Sequence, residues 1–101
     1  MNNRYWLIRG YDGKTIFEMR VELGQFTDNQ IRHLLQALAA KAGLSFAEIV
    51  GAYAKRRTRI FNNLLEVHKD PNSQVYRCGD GPTFTASPVD ESGKMIRYPR
   101  I

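Results

Sequence analysis

Phe17, Met19, Val21 and Leu23 alternate with Glu18, Arg20 and Glu22, a period of two that belongs to a strand. An apolar run containing Trp6 and Ile8 precedes them across Asp12-Gly13, and Gly13 tolerates the positive φ of a type I′ turn. Arg4 to Leu23 therefore predicts a β-hairpin with Asp12-Gly13 as its two-residue loop. That loop sets Trp6 opposite Met19, Ile8 opposite Phe17 and Arg4 opposite Val21, which gathers one apolar face. A slip of one residue would scatter the set over both faces.

The period changes after Phe26. Thr27 and Gln30 have the spacing of a capping box, Phe26 and Ile31 that of a hydrophobic staple, and Gly43 follows as a stop signal. Ile31, Leu34, Leu35, Leu38 and Ala42 then form one stripe of a helix, to be packed on the hairpin face. The same grammar repeats at once. Ser45 and Glu48 make a second box, Leu44 and Ile49 a second staple, and Phe46, Ile49, Val50 and Tyr53 a second stripe. Two helices separated only by Gly43-Leu44 must turn sharply, giving a helical pair over one face of a sheet.

Beyond Ile60 two periods compete. Ile60, Phe61, Leu64, Leu65 and Val67 fit a helix, while Leu65 to His68 equally fit the start of a strand. Asp70-Pro71-Asn72-Ser73 is a turn, Val75 to Cys78 a short strand, and Gly79-Asp80-Gly81-Pro82 a second turn. Thr83 to Val89 reads as extended, with Pro88 placing it at a sheet edge, and Lys94 to Tyr98 returns as a further strand. The expected fold is α+β: an N-terminal β-hairpin, two consecutive α-helices, then short C-terminal strands in a largely antiparallel sheet with the helices on one face. At 101 residues the chain makes a single domain, 1–101.

Composition narrows the class. With 43% hydrophobic and 25% charged residues the chain is ordinary for a globular domain, and it has no apolar run long enough to span a bilayer. The apolar stretch near the N-terminus, Tyr5 to Ile8, is too short for a secretory signal, so a cytoplasmic protein is expected. Cys78 is the only cysteine, which excludes an internal disulfide and a thiolate zinc framework. The net charge is +5, and its location matters more than its size. Lysines and arginines nearly balance the acids before residue 55 and balance them after residue 59, so most of the surplus sits in Lys55-Arg56-Arg57-Thr58-Arg59. Four phosphate contacts there would give a log–log salt slope of roughly −3 to −4. A structural role competes, since Lys55 to Arg57 fall where cations face the negative end of the second helix's dipole. Arg20 beside Tyr5, and Arg97-Tyr98-Pro99-Arg100, would extend a basic and aromatic surface if the fold gathers them.

Other constellations are thin. Leu38 to Val50 has the layout of a helix-turn-helix, but its second helix opens on Ser45, Phe46, Ala47 and Glu48, with no Arg, Asn or Gln to read bases. A structural αα-hairpin accounts for the same residues. His33, His68 and Cys78 lack the spacing of metal ligands, and no metal or cofactor is expected. Cys78 and His68 would serve as nucleophile and base only if the fold brings them together. No glycine loop fits a phosphate. Ala37 and Ala40 form a small-residue face on the first helix, and an edge near Pro88 would offer strand pairing; either would admit a second subunit. What remains is a small cytoplasmic non-enzymatic binding or adaptor domain, acting on a protein partner or as a homodimer. The alternative is a nucleic-acid-associated accessory protein that contacts phosphates through Lys55, Arg56, Arg57 and Arg59.

Overall fold

In the computed structural model, which describes residues 3–96, β1 (Arg4–Tyr11) and β2 (Thr15–Glu22) form the expected antiparallel hairpin. The register differs from the one a two-residue loop would set: Trp6 faces Val21 and Ile8 faces Met19. Two one-residue slips add to produce this. The loop takes in Lys14 as well as Asp12 and Gly13, because Tyr11 pairs with Thr15, and a bulge between Gly10 and Tyr11 adds the second step. A single slip would have turned every β2 side chain over; two restore the face, so Trp6, Ile8, Phe17, Met19 and Val21 still share one side. Gly13 has the expected positive φ, +74°.

A short 3-10 turn (Leu23–Gln25) leads to α1 (Asp28–Gly43) and then α2 (Phe46–Ala52). Residues 53–66 hold turns and no helix, which settles the competition of periods after Ile60; β3 (Val67–Lys69), β4 (Tyr76–Cys78) and β5 (Thr83–Asp90) follow. All five strands make one antiparallel sheet in the order β2-β1-β5-β4-β3. The fold is thus α+β.

β5 lies at the centre of the sheet, not at the edge that Pro88 suggested. Pro88 is tolerated because its backbone faces away from β1. Its carbonyl accepts from the Ile96 N–H at 2.9 Å, on the side where β4 has already ended. The missing N–H therefore removes no bond from the β1–β5 ladder. The free edges are β2 and β3, so strand pairing near Pro88 is not available to a partner. Of the expected strand 94–98, Met95 forms an isolated bridge with Val89, and Arg97 and Tyr98 lie outside the described residues.

The core lies between one sheet face and α1. Trp6 and Ile8 of β1, Phe84 and Ala86 of β5, and Tyr76 and Cys78 of β4 are buried beneath Ile31, Leu35 and Ala39. Ala39 takes the place expected of Ala42, which stays exposed, because 31, 35 and 39 follow a four-residue row. Phe84 lies so close to Gly10 that a Cβ there would sit 2.6 Å from its ring. The Trp6 ring lies 6.1 Å from Tyr76, and its indole N–H donates to the Phe26 carbonyl at 3.4 Å. Among the described residues no helix is long and apolar enough to cross a membrane.

Candidate functional site

The basic cluster stands at the tip of an arm built by α2 and the segment that returns from it. Ser45 caps α2 by accepting from the Glu48 N–H at 3.2 Å, and the Glu48 carboxylate accepts from the Ser45 N–H at 2.9 Å. Leu44 and Ala52 pack against the core and anchor the base. Two overlapping turns then reverse the chain, with Thr58 N–H donating to Lys55 C=O and Phe61 N–H to Thr58 C=O. The return strand of the arm is stitched to α2 by Asn62. Its backbone N–H donates to the Gly51 carbonyl at 3.2 Å and its side-chain amide to the Glu48 carbonyl at 2.9 Å. Gly51 is buried because the backbone of Ile60 lies directly against it, leaving no room for a Cβ.

This geometry removes the helix-end role for Lys55 to Arg57. α2 ends at Ala52 with no basic residue in its last turn, and the cations occupy the turns beyond. Lys55, Arg56, Arg57 and Arg59 are all exposed. Among the described residues the cluster makes one ion pair, Arg56 to Glu66 at 3.7 Å, a surface contact of little strength. The Arg56 guanidinium also lies 5.5 Å from the centre of the Phe61 ring.

The stripe on α2 was expected to pack, and only Ile49 of its four members is even half-buried. Phe46 is 91% exposed, Val50 60% and Tyr53 63%, with Ile60 exposed on the returning segment. A helix-turn-helix would need this stripe to pack, and Phe46, Val50 and Tyr53 do not. No signal within α2 distinguishes it from a buried helix; its isolation follows from the turns that carry the chain away from the sheet.

Arg56 also faces a cleft of about 470 Å³ between the arm and α1, lined by Arg32, His33, Gln36, Phe61 and Glu66. The Gln36 amide closes part of its wall by donating to the Leu65 carbonyl at 2.9 Å. Arg32 is held over the Tyr76 ring at 4.9 Å. Burial, and then the neighbouring Asp28 carboxylate, push the Tyr76 hydroxyl up to about 12. The approach of Arg32 and His33 to this cluster is not legible in the sequence, because nothing in the spacing of α1 shows that residues 56–66 fold against it.

The other expected contributors lie elsewhere. Arg20 is on the opposite sheet face, 5.8 Å above the Tyr5 ring and donating to the Glu91 carbonyl at 3.2 Å. Arg97 and Arg100 are outside the described residues. His68 and Cys78 both border a cleft of about 330 Å³, but their side chains take opposite faces of the sheet: His68 pairs with Arg77 and shares that residue's face, whereas Cys78 turns into the core. Burial pushes the Cys78 thiol up to about 11, which leaves it protonated and inert near neutral pH. Among the described residues no three His, Cys, Asp or Glu side chains converge on a metal-sized site. No protein-family model, curated protein or solved structure matches this chain.

Proposed function

We propose that this protein is a small cytoplasmic non-enzymatic binding module whose working surface is the α2 arm, and that its ligand is the phosphate backbone of a nucleic acid. The observation that carries this is the exposure of Lys55, Arg56, Arg57 and Arg59 in consecutive turns, where among the described residues they make one weak ion pair, Arg56 to Glu66. Folding does not require four like charges there, and their mutual repulsion costs stability unless an anion is met. Arg32 across the cleft extends the positive surface from the cluster towards the body.

The test is titration of labelled DNA and RNA at two salt concentrations with wild type and a Lys55→Glu/Arg56→Glu/Arg57→Glu/Arg59→Glu variant. Binding by wild type with a log–log salt slope of roughly −3 to −4, lost in the variant, is the expected result. Equal binding by both proteins, or none by either, rejects it.

A further inference from the structure

The tip explains affinity for phosphate but not the side chains that lead to it. Phe46, Val50 and Tyr53 recur at steps of four and three, so they line one face of α2, and all three are exposed. A phenylalanine 91% in solvent and a tyrosine 63% exposed on the same face form an apolar strip that nothing among the described residues covers. The strip runs into the basic tip, since Tyr53 is two residues from Lys55. Whatever covers both must bring apolar flat surface and negative charge in one ligand. We propose that the occupant is a single-stranded nucleic acid, its bases stacked along Phe46, Val50 and Tyr53 while its phosphates meet Lys55, Arg56, Arg57 and Arg59.

Charge complementarity selects this occupant, and it rests on the phosphate-binding role of the tip. A duplex supplies the phosphates but hides the faces of its bases, so it leaves the strip uncovered. A single strand exposes both. The dimensions agree: seven residues of helix separate Phe46 from Tyr53 by about 10 Å, roughly three nucleotides at a stacked rise of about 3.4 Å. The absence of Arg, Asn and Gln from Phe46 to Tyr53 removes base-edge readout, so little dependence on base sequence is expected.

The experiment compares a labelled single strand of about 12 nucleotides with its duplex, using wild type, Phe46→Ala/Tyr53→Ala and the conservative Tyr53→Phe. Thermal melts check that the variants keep the fold, which is expected because these side chains are in solvent. Wild type should prefer the single strand by on the order of tenfold or more; the double alanine variant should lose that preference while keeping its duplex binding, and Tyr53→Phe should keep it. Equal affinity of wild type for the two forms, unchanged in the alanine variant, overturns the stacking role while the phosphate role of the tip stands. No binding of either form overturns both. If light scattering instead finds a wild-type dimer that the alanine variant dissociates, or if that variant loses binding to anionic phospholipid vesicles, the strip belongs to a second copy or to a lipid surface and the proposal is overturned.

Discussion

α1 and α2 begin in the same way and end in opposite environments. In both, the cap hydroxyl accepts at 3.2 Å from the third residue's N–H, whose side chain accepts at 2.9 Å from the cap N–H. Yet Ile31 and Leu35 are fully buried, whereas Phe46, Val50 and Tyr53 stand in water. The capping box decides where a helix starts, because it satisfies orphan amides within four residues. Burial of the stripe depends on whether a sheet lies beneath it, which is decided by residues far away in sequence. α1 reaches across β5, β4 and β3; α2, only seven residues long, meets the core through Leu44 before it and Ala52 at its end, and leaves its Phe46–Val50–Tyr53 face in solvent.

Matched truncations test that contrast most severely. Leu35→Ala should destabilise the protein by about 2–5 kcal/mol, since the surrounding core can only partly close the cavity. Val50→Ala should change stability by no more than about 0.5 kcal/mol. Urea denaturation midpoints with unchanged slopes give both values. A large cost at Val50 would mean that α2 is covered in solution, and would break the distinction between body and arm.

Next in size is the one place where the arm is tightly packed. Gly51→Ala forces a methyl group against the Ile60 backbone and beside the Asn62 amide, an overpacking that costs about 1–3 kcal/mol. The cost should fall on the arm alone. Amide exchange at Asn62, whose N–H bonds the Gly51 carbonyl, should speed up by tenfold or more, with no change at Leu35. Acceleration at both sites would show that arm and body open as one unit.

These differences also explain what could be read from the chain beforehand. The hairpin, both helix starts and the α+β class follow from contacts between near neighbours, and those signals are local. The hairpin register slipped twice, once where the loop takes in Lys14 and once at a bulge between Gly10 and Tyr11, neither of which has a signature in alternation, but the face survived because two slips cancel. Pro88 misled because a proline excludes a ladder bond on one side only, and sequence does not say which side has a neighbour. The charge count places the surplus at Lys55, Arg56, Arg57 and Arg59, and the structure leaves all four exposed. Their detachment from the helix end, and the approach of Arg32 and His33, depend on how residues 53–66 turn back.

Removing the caps gives a smaller and more selective effect. Thr27→Ala and Ser45→Ala each delete a hydroxyl that accepts one backbone N–H, at about 1 kcal/mol apiece. The Thr27 loss should lower the global midpoint, because α1 covers the core. The Ser45 loss should appear only as reduced helicity and faster exchange within residues 46–52. Equal shifts in the global midpoint would again place α2 inside the cooperative unit.

The smallest effect separates the two boxes by chemistry. α1 closes its box with Gln30, which does not titrate, and α2 with Glu48, whose carboxylate must be charged to accept well from Ser45. The Ser45 backbone and side-chain hydrogen bonds hold the Glu48 pKa below its ordinary value of 4.5. A depressed carboxylate contributes stability that is present above the unfolded value and is lost as pH falls through the folded one. Below about pH 4.5 the start of α2 should therefore loosen progressively while that of α1 holds, visible as acid-dependent exchange at Glu48 and not at Gln30. Glu48→Gln converts the second box into a copy of the first and should abolish the pH dependence without moving the neutral-pH midpoint. If the variant retains the same acid response, the titrating group is not Glu48, and the likeness of the two caps does not extend to how they respond to protons.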